Sequence, residues 1–235
     1  MQESQNQDKN KRFYGRRQGR PLKGIRAQAT EELLPKLSVQ TEKLSEQANL
    51  DPRSLFEREY DQYWFEIGFG AGEHLAELMR REPETGFLGA EPYINGMASF
   101  LKDIYEEPHD HVRVHMDDAM MLANSLSDAC LDGLYVLNPD PWHKTRHHKR
   151  RMIRKENLDV FARILKPGAK LITTTDVPYL ADWMITELSQ NPAFSWSAER
   201  ADDWRTPPDD WITTVYEVKG AKGAKVMSYL FFERV

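Results

Sequence analysis

A short apolar run, residues 63–67 (YWFEI), empties into three alternating glycines, Gly68, Gly70 and Gly72. Helical spacing takes over at once: residues 73–81 place Leu75, Leu78 and Met79 on one side. Strand, glycine turn and amphipathic helix in that order bring the chain back to the strand's starting end. The next strand therefore lies parallel to the first. The pattern repeats. Residues 86–90 (GFLGA), 112–116, 131–137 (LDGLYVL) and 169–175 (AKLITTT) read as further strands. Residues 95–106, 152–165 and 179–189 read as helices, the second stopped by Pro167-Gly168. Residues 194–198 and 226–232 are two late strands. The alternation predicts an α/β fold: a doubly wound, mostly parallel, seven-stranded sheet with helices on both faces. Right-handed crossovers then collect the strands' carboxyl ends along one edge, where such sheets bind ligands.

Acids line that edge. Glycines after a strand let the backbone turn tightly and approach a ligand closely, which makes Gly68 and Gly70 candidate cofactor contacts. A dinucleotide loop needs a third glycine three residues after the second, and Glu73 stands there. Glu73 would also repel a pyrophosphate at the helix N-terminus. An acid two residues before the glycines, Glu66, suits a cofactor carrying an ammonium, as S-adenosylmethionine does. Glu91, at the end of the second strand, can accept from ribose hydroxyls, in either type of cofactor. Asp118, after the third strand, can accept from an adenine amino group, and it fits a helix N-cap equally well. A glycine turn without a ligand remains the plain alternative for the loop.

The chain carries a net charge of −5, but not evenly. Residues 1–26 carry +6, residues 142–155 carry +7 with no acid among them, and the remainder carries −18. Cations gathered into two segments of an acidic protein suggest a surface for a polyanion, although a solvated tail and a solvated helix face would look the same. Residues 1–26 read as a basic extension that orders only on a partner. Residues 27–50 are a lead-in with weak helical periodicity, and 51–235 form the domain. A single cysteine, Cys130, excludes an internal disulfide and a Cys-rich zinc site. With no apolar leader at the N-terminus and no membrane-length apolar run, the expected compartment is the cytoplasm. Monomer and homodimer both stay open.

The most specific stretch follows the fourth strand: Asn138-Pro139-Asp140-Pro141-Trp142, then HKTRHHKRR to Arg151. Prolines on both sides of Asp140 hold its carboxylate at the edge. Trp142 offers an aromatic face and the cations offer phosphate partners. His143, His147 and His148 do not make a metal site, since adjacent histidines diverge and no carboxylate follows at useful spacing.

PDPWHKTRHHKRR resembles the signature of the tRNA (guanine-N7)-methyltransferase family. FEIGFGAGEH, GAEPY, Asp118, TTDVPYLADWM and the basic N-terminal segment are similar to that family in the same order. The resemblance runs from about Tyr14 to the end. It implies a Rossmann-like methyltransferase sheet that binds S-adenosylmethionine and methylates a guanine in the variable loop of tRNA. It further implies that Glu66, Glu91, Asp118 and Asp140 face the cofactor, with Asp140 also catalytic. Lys144 and Asp176 then look like substrate contacts, and Arg146, His147, His148, Lys149, Arg150 and Arg151 an RNA-binding run. Thr214, Val215, Tyr216 and Glu217 match a T-[KR]-[FY]-E segment except that Val215 replaces the basic residue. The surviving T-x-x-E spacing could also be a capping box. Asn138 stands where the family usually has an aromatic.

Guanine N7 has a lone pair and no proton, so the expected role of Asp140 is electrostatic and positional. A small-molecule or protein methyltransferase on the same sheet is disfavoured by the two basic segments. A non-catalytic RNA-binding module is disfavoured by the glycine loop and the strand-end acids.

Overall fold

Seven strands form one sheet in the order β3-β2-β1-β4-β5-β7-β6 in a computed structural model of the chain. The structure describes residues 17–40, 42, 44, 48–214, 217 and 226–235. The strands are β1 (Gln62–Ile67), β2 (Thr85–Ala90), β3 (Val112–His115), β4 (Leu131–Leu137), β5 (Leu165–Thr175), β6 (Phe194–Trp196) and β7 (Ser228–Arg234). The β1, β2, β3, β4 and β5 pairings are parallel, and β7 runs antiparallel to both β5 and β6. Only β7 is reversed, so the shared carboxyl edge expected from right-handed crossovers holds for the other six strands. β1 and β4 are neighbours, with β2 and β3 laid out to one side and β5 to the other. A doubly wound sheet opens its ligand crevice at that reversal.

The helices are α1 (Ile25–Leu37), α2 (Glu73–Arg81), α3 (Ile94–Asp103), α4 (Ala119–Ser125), α5 (Lys155–Ile164), α6 (Pro178–Gln190) and α7 (Asp202–Arg205). Strand alternation divides the core between the two faces. Tyr63, Phe65 and Ile67 of β1 join Leu122, Phe161, Leu171 and Met184 under α4, α5 and α6. Trp64 packs on the opposite side with Leu33, Leu75, Met97 and Phe100, under α1, α2 and α3. All six residues of β2 are buried, as a strand covered on both faces requires. No described helix is long and apolar enough to cross a membrane.

Three details differ from the sequence reading. Pro167-Gly168 does not stop the helix; α5 ends at Ile164 and β5 starts with the next residue. Pro167 and Gly168 lie inside β5, Gly168 at φ 82°, where the β4–β5 pairing shifts register. Burial of Leu165 at 1% exposure anchors the chain before the proline is reached. The boundary expected at residue 26 falls inside the first turn of α1. Residues just before that helix lie on the domain: Ile94 N donates to Arg17 O, Gly19 N to Asn95 Oδ1, and Asn95 Nδ2 to Arg20 O. Residues 1–16 lie outside the described residues. Finally, residues 145–150 form a tight 3₁₀ turn.

Candidate active site

Gly68, Gly70 and Gly72 all take positive φ, at 71°, 60° and 82°. Side chains at such angles are strained, so three glycines here build a loop of bare backbone. The loop is pressed from behind by α3. A Cβ on Gly72 would come 2.5 Å from the Phe100 side chain, and one on Gly96 would come 2.4 Å from Gly70 O. On Gly68 a Cβ would meet nothing within 4 Å. The loop therefore has a packed back and an open front, a floor over which a ligand can lie. These residues fit the methionine and ribose parts of S-adenosylmethionine.

The acids at the edge differ in what they touch. Glu66 belongs to the α2-covered face of β1 and is 3% exposed. A buried carboxylate needs a partner, and Glu66 Oε2 lies 2.9 Å from His74 Nδ1 of α2. His74 in turn packs edge-on against Tyr135 and near Trp211. Glu66 thus meets a histidine that no sequence spacing signalled. Glu91 accepts Gly70 N on Oε2 at 2.9 Å and Tyr93 N on Oε1 at 2.8 Å. Burial pushes its carboxyl above the usual range; the two backbone donors oppose that, and the Asp140 charge adds to it. Glu91 and Asp140 therefore share one electrostatic neighbourhood. Asp118 caps α4, its Oδ1 accepting from Met120 N at 2.9 Å, so the capping reading holds for one oxygen. Asp117 beside it pairs with Arg17.

After β4 the chain turns through two left-handed residues, Asn138 at φ 46° and Trp142 at φ 43°. Asn138 N donates to Thr174 O, fixing the turn to β5. Asp140 between them is exposed at the carboxyl edge. Asp176 is half-buried in the link from β5 to α6. Lys144, Arg146 and Lys149 are exposed. Arg150 lies over the Trp142 ring at 5.0 Å. His147 meets Trp142 edge-on and His148 meets Trp183. Burial first, then the neighbouring cations Arg150, Arg146, Lys144 and Lys149, lower the His147 pKa. His143 hydrogen-bonds the Tyr179 hydroxyl.

Arg151 corrects the expected RNA-binding run. It is 3% exposed, its Nε donates to Pro141 O at 3.0 Å, and its guanidinium packs on Trp183. A side chain so enclosed has no open face for phosphate. Near the C-terminus, Glu217 N donates to Thr214 Oγ1 at 3.3 Å, one half of a capping box. The Glu217 carboxylate takes Thr214 Oγ1 and Trp211 Nε1. Val215 and Tyr216 lie outside the described residues.

Residues 61–228 match the family described as putative methyltransferase. A tRNA (guanine-N(7)-)-methyltransferase of Brucella anthropi is 43% identical over 222 residues, 94% of either protein. One of Rhodospirillum rubrum is 42% identical, covering 95% of this chain and 88% of that protein. Among solved structures, the 16S rRNA methyltransferase KamB superposes with a TM-score of 0.52 at 12% identity, over 78% of this chain and 91% of that one. An antibiotic-related methyltransferase gives 0.50 at 19% identity, over 75% and 89%. At such low identity the two structures share the fold alone.

Proposed function

The chain belongs to the tRNA (guanine-N7)-methyltransferase family, and from that premise we propose that it transfers a methyl group from S-adenosylmethionine to N7 of a guanine in the variable loop of tRNA, forming 7-methylguanosine. The observation that carries this reading is the exposed Asp140, set between two prolines just past β4 at the β1/β4 crevice and followed by exposed Lys144, Arg146 and Lys149. A negative group for a base thus adjoins positive groups for a backbone. A cytoplasmic location agrees with the tRNA substrate and with Cys130 as a lone free thiol.

S-adenosylmethionine, when bound, supplies an electrophilic methyl on a positively charged sulfur. The glycine floor and Glu66 hold its methionine part, Glu91 its ribose and Asp118 its adenine. Glu91 keeps lone pairs beyond those used by Gly70 N and Tyr93 N, so it can accept from hydroxyls without releasing the loop. Guanine N7 needs no deprotonation, and the protein's work is alignment and charge. Methylation places positive charge on the guanine ring. A carboxylate beside the purine therefore stabilises the transition state more than the neutral base. Asp140 and Asp176 can also accept from guanine N1–H and the 2-amino group, which adenine does not present as a pair. Thr214 and Glu217 connect through Trp211 to His74, the partner of Glu66.

The test is incubation of unmodified tRNA transcript with labelled methyl donor, followed by nucleoside analysis. Label in 7-methylguanosine, lost when the variable-loop guanine is changed to adenine, is the expected result. Label in any other nucleoside, or retained after that change, overturns the reading.

A further inference from the structure

We infer that Arg151 fixes the shape of the Asp140 turn and serves methyl transfer as a positioning residue, not as a phosphate contact. The inference rests on the function proposed above. Pro139 and Pro141 carry no N–H, so half of the Pro139–Trp142 turn has nothing to donate. Acceptors must carry much of its fastening. Arg151 Nε donates to Pro141 O at 3.0 Å, and Nη2 to Trp142 O at 3.4 Å. These two carbonyls belong to the peptide units on either side of the Trp142 α-carbon. Their orientations are what define the Trp142 backbone angles.

Trp142 is a bulky residue at φ 43°, a conformation that persists only where its surroundings impose it. Nε and Nη2 lie on one edge of a rigid planar fork, so a single group holds both peptide planes at a fixed angle. Relaxation of Trp142 into ordinary backbone space would swing Pro141 and, with it, Asp140.

The surroundings of Arg151 agree with this task. The guanidinium is 4.5 Å from the Trp183 ring centre and 5.7 Å from that of Tyr179. Both walls are tied in place: Trp183 Nε1 donates to Ile153 O at 2.8 Å, and the Tyr179 hydroxyl bonds His143. Among the described residues no carboxylate pairs with Arg151. A buried guanidinium that spends its donors on carbonyls is oriented by geometry, with no charge partner to satisfy it. The neighbouring Arg150 lies over the Trp142 ring. The two consecutive arginines therefore divide the work, one fastening the backbone of the turn and one packing on its indole.

The test compares Arg151→Lys and Arg151→Met with the wild-type protein and with Lys149→Ala. Each is measured for S-adenosylmethionine affinity, for tRNA affinity across salt concentrations, and for single-turnover methylation at saturating tRNA. Lysine keeps the charge and loses the fork, so a phosphate contact survives the Lys substitution while a clamp does not. The expected result is a single-turnover rate reduced on the order of 100-fold in both Arg151 variants. Cofactor and tRNA affinities should stay within about twofold, with an unchanged salt slope. Lys149→Ala should instead flatten the salt slope by about one unit. A wild-type rate in Arg151→Lys, or a shallower salt slope in Arg151→Met, overturns the inference. So does an Arg151→Lys protein that no longer binds S-adenosylmethionine, because the residue then holds the domain and not the turn. Wild-type failure to methylate the transcript would instead remove the functional reading itself.

Discussion

Asp140 is separated by a single proline on either side from a backbone angle that most side chains avoid. Asn138 and Trp142 both sit at positive φ, and the prolines between them restrict the rest. Asn138 is legible in this light: asparagine tolerates the left-handed region better than an aromatic or β-branched residue. Asn138→Gly should leave thermal stability nearly unchanged. Asn138→Val should cost about 1–3 kcal/mol in denaturant unfolding. Equal stability of the two variants would show that the angle is not what selects this residue. At Asp140 itself, the Asn variant keeps the shape and removes the charge. It should bind tRNA normally and lose about 3 kcal/mol of transition-state stabilisation, the scale of one preorganised contact. No proton leaves N7, so the wild-type single-turnover rate should show no rise from a general base between about pH 6 and 9. Wild-type methylation by Asp140→Asn would move the chemistry to alignment alone or to Asp176.

At the scale of elements, the parallel core was legible because its signals are local. The limits of α2 and β4 match their apolar spacing residue for residue, and β1 and β2 each begin one residue earlier than read. Signals that depend on tertiary packing were not legible. Pro167-Gly168 looks like a helix stop in one dimension and is a register shift in three. The four-residue α7 is too short to show a period, and β6 ends two residues before its apolar pattern suggested. In the site, strand-end acids could be located by counting, but their partners could not. His74 meets Glu66 only because α2 folds back over β1, and the burial of Arg151 depends on α6 supplying Trp183. Gly96 is a further residue that spacing missed. It lies in α3, where glycine is otherwise unfavourable, and a Cβ there would press on Gly70 O at 2.4 Å. Gly96→Ala should displace the glycine loop. Calorimetry should show S-adenosylmethionine affinity reduced by at least about tenfold, the equivalent of 1.4 kcal/mol. Unchanged affinity would mean that the loop yields without moving the cofactor floor.

For the molecule as a whole, the uneven charge is the feature that composition conceals. The carboxyl edge gathers positive groups from chain segments far apart in sequence. Arg17 and Arg20 lie over the start of α3, and the 142–155 run lies beyond β4. The −18 carried by the rest of the chain keeps a polyanion from settling elsewhere, so the field itself selects the face that approaches tRNA. Within the run, exposure sorts the cations that act in this way from those that hold structure. Lys144, Arg146 and Lys149 are exposed, while Arg151 is enclosed and Arg150 is stacked on Trp142. Each exposed cation that neutralises a phosphate releases counterions, which steepens the fall of tRNA affinity with salt. Replacing Arg146 and Lys149 together by Ala should therefore flatten the plot of log affinity against log salt by about two units, one per contact. The loss should be large at low salt and small at high salt, where counterion release contributes little. S-adenosylmethionine affinity and the single-turnover rate at saturating tRNA should stay at wild-type values, since neither side chain reaches the cofactor floor or the Asp140 turn. Filter binding over a range of potassium chloride concentrations measures the slope directly. A parallel shift of the whole plot, with the slope retained, would mean that these side chains shape the surface without touching phosphate, and the RNA path would then have to be sought along the Arg17–Arg20 side of the crevice.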